Sequence, residues 1–287
     1  MENAEPLSLD ARQRAMLLEM GVRVWLPERV PAPQPLPASA PAAAAATPVL
    51  PHERTAAEAA AEASRVLLPA HASPSERWSA LVLDVTQCRA CAMCAGRRNV
   101  TLQALPPEVP QADWLVLGDP PDEDEERNAS PFAGPAGVLL DNMLRALDVQ
   151  RANVPQGSAR AAAAGARSAA RSAYVSNVLK CRPAHGAIPQ AAELQHCARH
   201  LHAEISLVRP KIILALGRFA TQLVLGGAEH ALGRVRGKVH AYAGIPVVVT
   251  YPPAVLLRKP ADKARAWADL CQAAALVQSA AGGAAAD

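Results

Sequence analysis

Aromatic residues are scarce in this 287-residue chain. They make up 3% of it, and phenylalanine occurs only at Phe132 and Phe219. A core with so few rings must be aliphatic, so each phenylalanine is a candidate for a specific task. Also missing is any apolar run near the roughly 20 residues that a membrane span needs. The opening "MENAEPLSLD" has neither the basic nor the apolar region of a secretory leader. Strong charge of either sign is lacking too, since a net charge of +3 names no partner by itself. These absences predict a cytoplasmic protein, in which six cysteines point to metal or cluster chemistry ahead of disulfides.

What is present is unevenly spread. Residues 1–30 contain a short amphipathic segment, and 31–77 hold a Pro/Ala-rich linker, "PAPQPLPASAPAAAAATPVLP", followed by a helical stretch at 52–66. Residues 8–28 either fold back on the main domain or offer a tethered peptide to a protein partner. The ordered domain is expected over 78–278, with a low-complexity insertion at 156–173 and a disordered tail at 279–287. Within the domain, "WLVLG" 114–118, "YVSNV" 174–178, "IILALG" 212–217 and "VVVTY" 247–251 read as buried strands. Helical patterns lie between them: Leu140, Met143, Leu144 and Leu147 share one face, and 190–208 and 218–225 follow the same period. Strand–helix alternation implies an α/β fold with a parallel sheet covered on both faces. Ligands then bind beyond the carboxyl ends of the strands. The unusual residues collect there: Gly118 and Asp119, Asn177 before Lys180-Cys181-Arg182, Gly217, and the pair Pro252-Pro253.

Between Val149 and Ala192 there is no acid, while Arg151, Arg160, Arg167, Arg171, Lys180 and Arg182 are basic. Such a stretch favours a polyanion such as DNA, although a solvated insertion accounts better for 156–173. Cys88 and Cys91 form C-x2-C, and Cys181 and Cys197 lie 16 positions apart. Four thiolates from two distant segments suit zinc or an iron–sulfur cluster, and the wide second pair leans toward the cluster. Cys94 and Cys271 read as inert buried thiols, and His196 and His200 as residues of a plain surface helix.

Taken together, "CRAC", "LGDPPDEDEERNASPFAGPAG", "SNVLKCRPAHGAIPQAAELQHC", "RPKIILALGRFA" and "VTYPPAVLLRKP" resemble the family 4 uracil-DNA glycosylases over about residues 85–275. The resemblance implies a three-layer αβα sandwich with a four-stranded parallel sheet. It implies a monomer acting on DNA at the nucleoid, and a [4Fe–4S] cluster on Cys88, Cys91, Cys181 and Cys197. It implies that Gly118, Phe132 and Asn177 bind a flipped base. Phe132 would stack on it, and Asn177 would donate to a uracil oxygen while accepting from the ring N–H. It implies catalytic roles for Asp119 and Glu125, and DNA contacts for Leu256, Leu257 and Arg258, the leucines as a wedge and the arginine at a phosphate.

The departures from the family are as specific. Where the family reads glycine-glutamate-alanine-proline-glycine, this chain has Gly118-Asp119-Pro120-Pro121-Asp122. Ala129 replaces a glycine and Ser130 an arginine. Pro252 stands where the family carries a histidine that donates to the uracil oxygen, and proline has no such donor. Tyr251 is expected to point to the opposite face of its strand and give no rescue. Two readings remain open, a slowed or shifted DNA-repair hydrolase and a weakly active or inactive iron–sulfur protein that binds DNA or flipped bases. A zinc-stabilised domain of unrelated function is a third.

Overall fold

The computed structural model describes residues 72–102, 112–152, 171–227 and 230–283. All of them belong to one compact unit, Thr55–Asp287. The amphipathic segment, the linker and most of the 156–173 insertion lie outside the described residues.

The first helix, α1 (Pro74–Gln87), starts on a capping box in which Ser73 and Glu76 bond each other's backbone N–H, with Pro74 pre-set at the first helical position. Next come β1 (Trp114–Gly118), α2 (Glu123–Arg127), α3 (Gly134–Arg145), β2 (Val149–Arg151), β3 (Arg171–Asn177) and α4 (Ala191–Val208). The chain continues with β4 (Ile212–Leu216), α5 (Arg218–Leu225), α6 (Leu232–Val235), β5 (Val239–Tyr242), β6 (Ile245–Thr250), α7 (Pro253–Arg258) and α8 (Lys263–Gly283).

The sheet has six strands in the order β2-β3-β1-β4-β6-β5. The four strands expected from the sequence are its central four, and they run parallel. Two edge strands correct the four-stranded expectation. Neither carries an apolar run: β2 has three residues, one of them buried, and β5 buries only Tyr242. β5 is antiparallel to β6 and returns through Ala243 and Gly244, both at positive φ, as a tight two-residue hairpin requires. Leu115, Leu117, Tyr174, Ile213, Ala215, Val247 and Val249 pack on α4 and α5 through Leu194, Leu201, Leu223 and Val224. Helix α8 covers β4 and β6. The result is a layered αβα core, and the described helices contain no stretch long and apolar enough to cross a membrane.

Register is what positions the site. Gly118 pairs with Asn177 on one side and Leu216 on the other, and Leu216 pairs with Thr250. The carboxyl ends of the four central strands therefore form one row. Asp119, Gly217 and Pro252 follow that row directly or within two residues.

Candidate functional site at the carboxyl edge of the sheet

Asn177 ends β3 with its side chain buried. Its Nδ2 donates to the Asp119 carbonyl at 2.9 Å and to Glu125 Oε1 at 3.1 Å. Both amide hydrogens are thus used inside the protein, while Oδ1 is buried without a partner. An unmatched acceptor in that position costs stability unless a ligand supplies a donor. In this arrangement the amide keeps its donors inside the protein and leaves its oxygen open.

Glu125 is the hub of the site. Burial pushes its carboxyl up from the ordinary value, and the N–H groups of Asp122 and Phe132 and the Asn177 amide pull it back. Its Oε1 accepts from Phe132 N at 2.5 Å and Oε2 from Asp122 N at 2.8 Å. Asp122, which stands where the family has glycine, is the N-cap of α2: its side chain accepts from Glu125 N in a reciprocal capping box. Asp122 is thus a local stabiliser, with φ at −92° and no need of glycine.

Phe132 is buried at the same edge, with φ at +52°. That left-handed conformation costs a side-chain-bearing residue about 1–2 kcal/mol. The ring lies against Gly118, where an added Cβ would sit 2.5 Å from the ring tip, so the strand must end in glycine there. Asp119 is fastened to the start of α5. Its Oδ1 accepts from Phe219 N at 2.7 Å and Ala220 N at 3.1 Å, and a Cβ on Gly217 would collide with the carboxylate. Burial raises its pKa, and the α5 amides oppose the rise.

The opening of α7 gives the double proline its purpose. Pro252 is the N-cap and Pro253 the first helical residue, where a fixed φ and a missing N–H do no harm. Leu256 is 1% exposed, which removes it from the expected wedge and makes it the anchor of the helix. Leu257 is 46% exposed and Arg258 is exposed. Tyr251 packs its ring 4.2 Å from the Arg236 guanidinium, itself paired with Asp269 of α8 at 2.6 Å.

Three cations of the one-sign stretch after Val149 are paired within the protein. Arg151 pairs with Asp141 at 2.6 Å, Lys180 with Glu204 at 2.7 Å, and Arg182 with Glu126 at 2.8 Å. Lys180 is buried and also donates to Ser176 Oγ at 2.5 Å and to the Asn177 carbonyl at 3.0 Å. It ties the end of β3 to α4, one residue before Cys181.

On the far side of Lys180 is a recess lined by Cys88, Cys91, Cys94, Cys181 and Cys197 with His196 and His200. All six cysteines of the chain are free thiols. Arg97 Nη1 lies 3.2 Å from Cys181 Sγ and Arg199 Nη2 3.5 Å from Cys88 Sγ, so cations face the sulfurs as thiolate ligands require. Burial pushes the Cys197 thiol up to about 12, which keeps it protonated until a metal displaces the proton. Among the described residues, no three His, Cys, Asp or Glu side chains converge on a point as a single metal ion demands. Sulfur donors of this kind suit either zinc or an iron–sulfur cluster. His200 corrects the surface-helix expectation: it is 1% exposed, and burial lowers its pKa to about 3. The signal that it faces inward was its spacing, one turn after Cys197 on the same helix face.

A uracil DNA glycosylase superfamily model matches residues 106–271. The chain is 31% identical over 186 residues to a type-4 uracil-DNA glycosylase of Sulfurisphaera tokodaii, covering 62% of this chain and 74% of that protein. It is 30% identical over 194 residues to one from Pyrobaculum aerophilum, covering 65% and 87%. With the type-4 enzyme of Archaeoglobus fulgidus it shares 29% over 189 residues, covering 63% and 83%.

Proposed function

This chain belongs to the uracil DNA glycosylase superfamily, on its type-4 side, and we propose that it is a DNA-repair hydrolase that flips uracil, or a related deaminated base, out of DNA and cleaves its N-glycosidic bond. One observation carries the reading: Asn177 Oδ1 is a buried acceptor with no partner, beside Phe132 and Gly118 at the end of the sheet. Uracil has a ring N–H to give it. Cytosine would set a lone pair against it, so the acceptor alone discriminates.

The residues divide the work as follows. Phe132 stacks on the base and Asn177 Oδ1 reads its N–H. Glu125 carries three hydrogen bonds from the site's own N–H groups, so it positions Phe132 and Asn177 and does not touch the reacting atoms. Asp119 supplies negative charge near the sugar as positive charge develops there. Its anchorage to α5 suits electrostatic stabilisation more than proton abstraction. Leu257 and Arg258 engage the DNA. Cys88, Cys91, Cys181 and Cys197 hold a [4Fe–4S] cluster, which when bound cross-links the Cys88–Cys91 segment to the β3–α4 segment.

A second reading, a protein that binds flipped bases with little or no catalysis, draws on Pro252. The Phe132, Asp122, Phe219 and Ala220 N–H groups are all consumed internally, and Pro252 and Pro253 have none. The developing charge on the leaving uracil is left with few donors. Base release from uracil-containing oligonucleotides by protein purified without oxygen separates the two. The hydrolase reading expects release that Asn177→Ala abolishes and Pro252→His accelerates by about 10²–10³. No release by the parent with DNA binding intact, and activity appearing in Pro252→His, would establish the second reading.

A further inference from the structure

We propose that Arg151, braced by Asp141, is a positioning residue that sets the Phe132 ring for base stacking; the stacking role rests on the function proposed above, the clamp itself does not. Phe132 is held in a left-handed conformation that its own sequence does not favour. Something must over-determine it. On the amide side that is Glu125, which accepts from Phe132 N. On the carbonyl side it is Arg151. Its Nη1 donates to the Pro131 carbonyl at 3.2 Å, and its Nη2 to the Phe132 carbonyl at 3.2 Å and the Gly137 carbonyl at 3.4 Å. Its Nε lies 2.6 Å from Asp141 Oδ1.

The fork therefore gathers two carbonyls of the 131–133 turn and one of α3 on one planar cation. Lysine, a point charge on a flexible stem, does not reproduce that geometry. The pair is enclosed, with side chains 9% and 12% exposed, so the contacts are little diluted by water. Arg151 comes from edge strand β2 and Asp141 from α3. Two elements outside the carboxyl row of the sheet thus converge on the backbone of its aromatic. The guanidinium carbon stands 5.9 Å from the centroid of the Phe132 ring. Gly137 completes the arrangement, since a Cβ there would fall 1.7 Å from the Phe132 carbonyl oxygen. An arginine that looks from the sequence like part of a DNA-facing stretch is spent on holding one ring.

The test exploits the rarity of phenylalanine. Labelling with 4-fluorophenylalanine places fluorine at Phe132 and Phe219 alone, and a Phe219→Leu variant assigns the two resonances. Arg151→Met, Arg151→Lys and Asp141→Asn are compared with the parent and with Arg127→Met, which loses only exposed pairs to Glu123 and Asp124. The clamp predicts that the Phe132 resonance moves or splits in Arg151→Met and, less, in Arg151→Lys, while the Phe219 resonance stays in place. Uracil release should fall about 10–10²-fold in kcat/KM in the same order. A Phe132 resonance unchanged in position and width in a folded Arg151 variant, with only melting temperature lowered, would make the pair structural and overturn the proposal. Should Arg151→Met not fold, Arg151→Lys and Asp141→Asn are judged by the same criteria. A parent without base release would sink the hydrolase reading and leave the fluorine result to decide the clamp.

Discussion

Replacing Gly137 by alanine is the sharpest probe of how the aromatic is held. In an ordinary helix interior the change stabilises, because alanine is favoured over glycine by about 0.8–1 kcal/mol. Here the new methyl would sit 1.7 Å from the Phe132 carbonyl oxygen and 2.7 Å from its carbonyl carbon. Both atoms are backbone, so no rotamer change relieves the contact, and the 131–133 turn must retreat by more than an ångström. The retreat breaks the carbonyl's hydrogen bond to Arg151, and bonds to charged groups are worth about 1.5–3 kcal/mol. Overpacking adds a cost of about 1–3 kcal/mol. The helix gain is outweighed, and the expected net loss is about 1.5–5 kcal/mol, read as a lowered midpoint in urea unfolding. The same displacement carries the ring away from the base, and an ångström of misplacement can cost about 10²-fold in rate. Gly233→Ala in α6 is the matched control, since an added Cβ there meets nothing within 4 Å. If Gly137→Ala proved as stable as the parent with base release unimpaired, the close approach of the Phe132 carbonyl to α3 would be wrong, and the clamp with it.

Three further outcomes are expected. Ala129 sits at φ +49° where the family has glycine, so Ala129→Gly should raise stability by about 1 kcal/mol in the same urea titration, after the unfolded-state entropy of glycine is set against the relieved strain. Leu256→Ala should cost about 2–5 kcal/mol, as for a buried leucine, whereas Leu257→Ala should leave stability within about 0.5 kcal/mol and weaken binding to uracil-containing duplex. Burial raises the folded pKa of Asp119 above its unfolded value. Its protonation therefore favours the native state, and the parent's stability relative to Asp119→Asn should decline as pH rises from about 4 through the folded value. Melting curves across that range showing the opposite slope would mean that the α5 amides outweigh burial.

The parts of the fold legible in the sequence were those written as continuous apolar runs. The four central strands are buried on both faces, so "WLVLG" and "IILAL" could be nothing else, and the α4 and α5 patterns gave those helices to within a residue. Edge strands β2 and β5 were not legible because an edge needs no apolar run, only pairing. The same limit applies at the site. Spacing brought Cys88, Cys91, Cys181 and Cys197 together on paper, and the structure puts them around one recess. No periodicity could tell that Leu256 turns inward and Leu257 outward, because a six-residue helix has too few turns to show a face. Nor could a charge count reveal that Arg151, Lys180 and Arg182 spend their charge on Asp141, Glu204 and Glu126.

The substitutions at this edge share one physical direction, and that argues against simple decay. Asp122 in place of glycine caps α2 and sends its own N–H to Glu125. Asp119, one methylene shorter than the family's glutamate, reaches the first amides of α5 and stays there. Pro252, in place of histidine, pre-sets the start of α7, whose first turn is then held by the bond from Val255 N to the Pro252 carbonyl. Each change adds an interaction that stiffens the backbone around the site, and Pro252 also removes a side-chain donor. Random loss of an active site leaves unmatched polar groups and cavities, whereas at this edge the named N–H donors are satisfied and the Asn177 oxygen is left open. A pocket rigid in its frame and poor in donors selects by what the base itself donates and accelerates its departure little. On the second reading such a site is expected to hold a flipped base and release it slowly. Single-turnover kinetics would show this as tight binding of uracil-containing DNA with slow release of base, and rapid release with weak binding would refute it.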